Sequence, residues 1–145
     1  RNYRERLSCE TLKERPSTSV NDRERLHKIS RHAKNSSCRS KHVAACYKGG
    51  NIMSIGVNKN KAPGRAWIDN VPCSEHAEVA ALRQIKDPRG ITLYVVRVRT
   101  DGSSGLSKPC PACAEYISKM GIKKVIYSVE DTFEADPELA NLTAA

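Results

Sequence analysis

The segments His76-Ala77-Glu78 and Pro109-Cys110-Pro111-Ala112-Cys113 enclose the part of the sequence that decides the fold. Each segment opens a stretch with helical character, and the almost continuously apolar residues 91–96 lie between the two. An apolar, β-branched run of this length is typical of a strand that is covered on both faces. Strands separated by helices predict parallel pairs, with helices on both faces of the sheet.

The same pattern continues upstream of this centre. Residues 42–47 and 52–57 predict a β-hairpin, because Gly49 and Gly50 can supply the positive φ angles of its turn. Before the hairpin, a helix is predicted from about residue 22 to residue 34. Its apolar residues fall on one narrow stripe, formed by Leu26, Ile29 and Ala33.

Downstream, Ser74 is predicted to cap a helix that runs to about residue 86. A later helix is predicted to start at Pro109 or Pro111 and to stop before Gly121, and residues 123–127 predict a last strand. The order of elements predicts a three-layer α/β/α sandwich with a mixed sheet of four to five strands. The chain of 145 residues divides into a basic N-terminal arm, residues 1–20, and a single domain, residues 21–145.

Charge is distributed unevenly along the chain. Residues 1–50 carry 13 Lys and Arg against 5 Asp and Glu, whereas residues 129–145 carry 5 acids and no base. The basic front third predicts contact with the phosphate of a nucleotide or of a nucleic acid. The alternative interpretation is a solvated helical face that only maintains solubility.

The sequence contains no run of the roughly 18 to 20 apolar residues that a membrane span requires. The first 20 residues have no apolar stretch typical of a signal peptide, so a cytoplasmic location and reduced cysteines are expected.

His76, Cys110 and Cys113 form a set of three candidate zinc ligands with a carboxylate, Glu78, beside them. A structural zinc site has four protein ligands, whereas a catalytic site has three and leaves a position for water. Cysteines at i and i+3 share one helical face, and the positive ends of two helices favour thiolates. Glu78 is free to move protons, because zinc lowers the pKa of a coordinated water towards 7.

Each half of this pattern is weak by itself. His76-Ala77-Glu78 alone is typical of an ordinary exposed helix start, and Cys110 and Cys113 alone are typical of a redox pair or a structural zinc site. A second zinc ion on Cys38, His42 and Cys46, or on His32 with Cys38, is not expected, because residues 42–47 predict a strand rather than a helix.

The chain resembles the cytidine deaminase superfamily, in the branch that contains deoxycytidylate deaminases and tRNA adenosine deaminases. The resemblance extends from about residue 37 to residue 128. It rests on five stretches: Gly56-Val57-Asn58, His76-Ala77-Glu78-Val79-Ala80-Ala81-Leu82, Thr92-Leu93-Tyr94-Val95, Pro109-Cys110-Pro111-Ala112-Cys113 and Gly121-Ile122-Lys123-Lys124-Val125-Ile126-Tyr127. The pattern H-x-E followed by P-C-x-x-C is that of zinc-dependent nucleobase deaminases.

The resemblance implies one catalytic zinc ion on His76, Cys110 and Cys113, with Glu78 as the proton shuttle. It further implies that Asn58 contacts the sugar or base of the substrate and that the amide of Ala77 meets the carbonyl of the base. Relatives commonly form homo-oligomers, which is the expectation for this chain too.

Two positions depart from the usual pattern of the family. Ala80 stands where deoxycytidylate deaminases usually have Asn, and Lys108 stands where many relatives have Glu. Lys108 is therefore a candidate substrate-binding residue that either meets a phosphate or is merely solvated. The same two interpretations apply to Arg97 and Arg99, at the end of the central strand.

These features predict a zinc-dependent hydrolytic deaminase that acts on a cytosine-bearing nucleotide or nucleoside. One alternative is a polynucleotide deaminase that edits cytosine or adenosine in single-stranded DNA or tRNA. An alternative of another class is a non-catalytic nucleic-acid-binding module that zinc stabilises. Only a catalytic site needs Glu78, so this residue discriminates the last alternative from the first two.

Overall fold

The computed structural model describes residues 14–17, 19–60, 67–68, 71–72, 74–130 and 132–133. The strands of the main sheet are β1 (Glu14–Pro16), β2 (Lys41–Lys48), β3 (Asn51–Val57), β8 (Ile91–Val98), β9 (Ser104–Gly105) and β10 (Lys124–Tyr127). Short strands between β3 and β8 are β4 (Lys59–Asn60), β5 (Trp67–Ile68), β6 (Val71–Pro72) and β7 (Ser74–Glu75). The helices are α1 (Val20–Ser30), which continues into a 3₁₀ helix (Arg31–Asn35), α2 (Ala77–Leu82) and α3 (Pro111–Met120).

The main sheet is mixed, and its strands follow the order β1-β10-β8-β2-β3, with β9 added to β8. β1, β10 and β8 run parallel to one another, whereas β2 pairs antiparallel with both β8 and β3. The predicted hairpin and the predicted parallel pair are therefore both present. The structure confirms the mixed α/β sheet.

Alternating residues of the central strands build two separate cores, as the period of two along a strand requires. On one face, Val43, Ala45, Tyr94 and Val96 pack with the stripe of α1, and Leu26, Ile29 and Ala33 are fully buried as predicted. On the other face, the alternate residues of β2 and β8 pack with residues of α2 and α3. The protein is therefore a three-layer α/β/α sandwich.

The first strand was not predicted by the sequence. Residues 16–19 were expected to belong to a loose arm, but Glu14–Pro16 pairs with β10 at the edge of the sheet. The Arg15 guanidinium lies 2.9 Å from the Asp22 carboxylate of α1, and the backbone N–H of Ser17 donates to the carbonyl of Tyr127 at 2.9 Å. The pairing with β10 and the bond to Tyr127 join residues far apart in sequence, and local patterns do not reveal them.

Two predicted helix boundaries were wrong. α1 begins at Val20 rather than after Asn21, and the side chain of Ser19 caps it by accepting from the backbone N–H of Asp22. Ser74 does not cap α2, because it lies in β7 and pairs with β4, so the extended backbone continues to His76, the actual N-cap.

The end of α2 was also misplaced, since the helix stops at Leu82 rather than near residue 86. The side-chain amide of Gln84 folds back and donates to the carbonyl of Ala80 at 2.9 Å. It also donates to the carbonyl of Ile55 in β3 at 3.0 Å, which ties the end of α2 to the sheet. Among the described residues, no helix is long and apolar enough to cross a membrane.

Gly56 of β3 allows α2 to lie directly on the sheet. A Cβ atom at this position would lie 2.5 Å from the backbone nitrogen of Ala81 and 2.8 Å from the carbonyl oxygen of Ala77. Real Cβ atoms essentially never approach other atoms so closely, and these atoms belong to the backbone, which cannot rotate away as a side chain would. A glycine is therefore required where β3 and α2 meet.

We expect Gly56→Ala to lower the free energy of unfolding by at least about 2 kcal/mol, because α2 must move away from β3. Urea denaturation followed by circular dichroism measures the change. Gly50→Ala is the matched control, since Gly50 has no positive φ and a Cβ there would meet nothing within 4 Å. Equal destabilisation by the two substitutions would contradict the close contact between β3 and α2.

Candidate metal centre and active site

The N-termini of α2 and α3 meet on one face of the sheet and bring three donor side chains together. His76 is the N-cap of α2, Cys110 is the N-cap of α3, and Cys113 lies in the first turn of α3. Their donor atoms all lie within 4.8 Å of one another. In this region the structure confirms the predicted helix from Pro111 to Met120 and its left-handed stop at Gly121.

The donors lie close enough together for one zinc ion, with the His76–Cys113 pair about 0.5 Å closer than a bound ion would hold it. His76 Nδ1 lies 3.0 Å from Cys113 Sγ and 3.8 Å from Cys110 Sγ. Tetrahedral zinc with bonds of about 2.3 Å to sulfur and about 2.0 Å to nitrogen places its ligand atoms roughly 3.5 to 3.8 Å apart. One imidazole and two thiols are also the donor types that zinc prefers, so the group fits the ion.

The surroundings of Cys113 favour its protonated, neutral thiol over the thiolate. Burial raises the pKa of the Cys113 thiol, and the Glu78 carboxylate and Cys110 raise it further. A positive ion between the donors would reverse these effects, because a coordinated thiol loses its proton.

Glu78 lies in the first turn of α2 with its side chain only 5% exposed. Burial raises the pKa of this carboxyl group, while its own backbone N–H and the nearby His76 oppose the shift in part. A carboxyl group with a raised pKa gains and releases protons more readily near neutral pH than an exposed glutamate.

A cavity of about 180 Å³ opens beside the donors. Its lining residues are His42, Asn58, His76, Ala77, Glu78, Ser107, Lys108 and Cys110. Of the three donors, Cys113 is not among the lining residues and is buried. The sequence-predicted candidates Asn58, Ala77 and Lys108 therefore lie around one space together with the carboxyl group of Glu78.

The side chain of Asn58 is held firmly by its neighbours. Its Oδ1 accepts from the backbone N–H of His42 at 2.9 Å and lies 2.6 Å from the hydroxyl of Ser36. Its Nδ2 donates one proton to the carbonyl of Ser40 at 2.6 Å. A side-chain amide has two N–H donors, and the second N–H of Asn58 has no partner in the described part of the chain.

The other two candidates differ in character. Ala77 is the first residue of α2, and the backbone N–H groups of a first turn have no partner within their own helix. Its amide is therefore a donor at the cavity wall. Lys108 is exposed at the rim and lies on a segment that Ser107 anchors through a hydrogen bond of 2.7 Å to the carbonyl of Val95.

His42 is a cavity residue that the sequence did not single out for this site. His42 lies on the same face of β2 as Ala44 and Cys46, which pack with residues of α2 and α3. The alternation of residues along the strand could therefore have predicted that His42 lies on the face of the site. The spacing of Cys38, His42 and Cys46 was correctly judged not to be helical. Among the described residues, only His76, Cys110 and Cys113 form a group that could hold a metal, and Cys9 and Cys73 lie outside them.

Residues 19–129 match the family described as the cytidine and deoxycytidylate deaminase zinc-binding region. The chain belongs to this family. The match includes all three donors, Glu78 and every residue that lines the cavity. A comparison with curated protein sequences found no significant match.

Solved structures of deaminases share the fold. The dCMP deaminase of cyanophage S-TIM5 in its apo form is 25% identical, with a TM-score of 0.51 over 80% of this chain and 90% of that chain. Its complex with dCMP and dUMP is 24% identical, with a TM-score of 0.52 over 78% and 85%. Guanine deaminase from Bacillus subtilis is 20% identical, with a TM-score of 0.49 over 86% and 73%. The first two similarities confirm the predicted deaminase-like fold.

The environment of His42 predicts a dependence of stability on pH. Burial lowers the pKa of His42 below 6.5, and Arg97 and His76 lower it further, although a hydrogen bond to the backbone of Ser40 opposes them. In the window below pH 6.5 and above the lowered value, the unfolded chain therefore binds more protons than the folded protein, and stability falls as the pH decreases.

We expect His42→Gln to flatten the dependence of the unfolding free energy on pH below about pH 6.5, as measured by urea denaturation. His32→Gln changes an exposed imidazole on the 3₁₀ helix and should retain the wild-type slope. If wild-type protein and His42→Gln had the same slope, the lowered pKa of His42 would be refuted.

Proposed function

We propose that this protein is a zinc-dependent hydrolytic deaminase that acts on a cytosine-bearing nucleotide or nucleoside. The observation that carries the proposal is the buried carboxyl group of Glu78 in the cavity that the metal-binding group borders. A structural zinc site does not need an additional carboxyl group that is not a ligand. Membership of a zinc-binding deaminase family supports the same reaction.

His76, Cys110 and Cys113 would hold zinc, which when bound supplies a water that is activated at neutral pH. Glu78 removes a proton from the attacking water, and the new C–O bond forms at the ring carbon that bears the exocyclic amine. Glu78 delivers that proton to the ring nitrogen, and it then takes the proton of the new hydroxyl group and delivers it to the amine, which leaves as ammonia. The C–N bond is thereby replaced by a carbonyl, with water consumed and ammonia released.

The polar groups around the cavity favour cytosine as the base. The backbone N–H of Ala77 and the remaining N–H of Asn58 are both donors, and they suit an acceptor such as the carbonyl of a pyrimidine. The cavity is small, which favours one ring over two. Ala80 is largely buried on α2 and does not line the cavity, so its departure from the usual pattern does not alter the lining.

We expect Glu78→Gln to reduce the rate of ammonia release from deoxycytidine or its monophosphate by at least about a hundredfold, because the amide cannot move protons. Zinc content and thermal stability should remain close to those of the wild type. Glu115→Gln removes an exposed carboxylate of α3 and serves as the matched control. Retention of full activity by Glu78→Gln would exclude the proposed role, and a wild type without activity would favour a non-catalytic module.

We expect Cys113→Ser to lower the ratio of zinc to protein from about one to well below one, because a thiolate ligand is lost. Mass spectrometry of the metal content measures the ratio after dialysis against a weak chelator. Cys38→Ser is the control, since Cys38 lies outside the donor group. Equal zinc content in the two variants would contradict the assignment of Cys113 as a ligand.

A further inference from the structure

A second cavity lies next to the first, where β2 begins and β8 ends. It has a volume of about 500 Å³ and is lined by Arg39, Ser40, Arg97, Val98, Arg99 and Thr100. Three of its six lining residues are arginines, and none of the six is acidic. We call this cavity the arginine groove.

We call the first cavity, which His76 and Cys110 help to line, the zinc-side cavity. The arginine groove shares a wall with it. Arg97 is the direct partner of His42 in the antiparallel pairing of β8 with β2, and His42 lines the zinc-side cavity. Directly paired residues point to the same face of a sheet, so Arg97 lies on the face that carries α2 and α3. The carbonyl of Ser40 also accepts from the amide of Asn58, which joins the two linings at a second point.

Arg97 is the cation of the groove that most needs an anion. Its side chain is half-buried, and no carboxylate in the described part of the chain forms an ion pair with it. Arg99, by contrast, pairs with Glu130, and after the hydrogen bonds from Ser103 it also helps to lower the pKa of the Asp101 carboxyl group. A partly desolvated guanidinium without a carboxylate partner is unfavourable unless another negative group offsets its charge.

The backbone of β9 provides a surface for the two arginines of β8. A Cβ atom on Gly105 would lie 3.2 Å from Cδ of Arg97 and 3.4 Å from Nε of Arg99. Both side chains therefore lie close against a residue that has no side chain of its own. This contact preorganises the two arginine side chains, and preorganisation lowers the entropic cost of binding a ligand.

We propose that the arginine groove binds a phosphate group of the substrate while the base of that substrate occupies the zinc-side cavity. The inference rests on the proposed deaminase function and specifies its substrate as phosphorylated. The planar fork of a guanidinium donates two parallel hydrogen bonds to phosphate oxygens, and arginine suits this ligand better than lysine does. The phosphate is either the monoester of a nucleotide or the diester of a polynucleotide.

The test compares three substrates of zinc-loaded protein: deoxycytidine, deoxycytidine monophosphate and a short single-stranded oligodeoxycytidylate. We expect wild-type protein to have a higher kcat/KM for one of the phosphorylated substrates than for deoxycytidine. Arg97→Gln should lower this preference by about ten- to a hundredfold, the value of a lost charge-assisted hydrogen bond. A preference confined to the monophosphate identifies a monoester site, and a preference for the oligonucleotide identifies a diester site.

Arg23→Gln is the matched control, because it removes the same charge from an exposed residue of α1 on the opposite face of the sheet. Arg39→Gln is a second groove variant at an exposed position, and it should lower the preference by a smaller factor. The proposal is wrong if wild-type protein prefers deoxycytidine, or if Arg97→Gln retains the wild-type preference.

Inorganic phosphate gives a readout that does not depend on turnover. Phosphate that binds the folded protein raises its Tm, and the rise should be the same in Arg23→Gln but smaller in Arg97→Gln. If no substrate released ammonia, the proposed function would fail, but a Tm shift lost only in Arg97→Gln would still support the groove. An equal Tm shift in all three proteins would refute a phosphate site at Arg97.

Discussion

The direct contact between Gly56 of β3 and the backbone of α2 is the constraint on which the candidate site depends. Because no side chain separates the strand from the helix, the backbone contact fixes the distance of α2 from the sheet. That turn carries Glu78, and the residue that caps it is His76. The contact therefore fixes a metal ligand and a proton-transfer group together.

Hydrogen bonds reinforce this contact near the C-terminal end of α2. The hydroxyl of Ser54 donates to the carbonyl of Ala81 at 2.8 Å, and the amide of Gln84 bridges Ala80 and Ile55. The bond from Gln84 gives the carbonyl of Ala80 a partner near the end of a short helix, where carbonyls lack partners within the helix. A helix of six residues is marginal by itself, so its position comes from the sheet rather than from its own propensity.

The other half of the site is anchored separately, through hydroxyl groups beneath the segment that leads to Cys110. Ser107 donates to the carbonyl of Val95 in β8 and accepts from the backbone N–H of Ser128, which follows β10. The hydroxyl of Ser128 in turn donates to the carbonyl of Gly105 at 2.7 Å. Two parallel strands thus hold the loop before α3, and the sheet itself brings Cys110 to His76.

The sequence predicts those structural features that adjacent residues encode. The run at residues 91–96, the hairpin and the stop at Gly121 are each encoded by adjacent residues, and all three are present. The donor group was predictable because two short motifs each open a helix.

Features that depend on distant partners were not predictable in the same way. β1 forms only because β10 lies beside it, and Ser74 joins β7 only because β4 is there to pair with it. His42 was considered for a helical metal site. Its place in the cavity lining instead follows from the face of β2 that packs against α2. In each case the deciding contact joins segments that the sequence separates, so only the assembled sheet reveals it.

The proposed assignments place two positive centres on one face of the sheet: a metal ion at His76 and the guanidinium of Arg97. His42 lies between them, and both His76 and Arg97 help to lower the pKa of its imidazole. A protonated His42 would repel both centres, whereas the neutral ring adds no charge and retains its capacity for hydrogen bonds. Because its pKa is lowered, His42 adds no third positive charge at neutral pH, so the candidate metal site and the arginine groove can lie on either side of it.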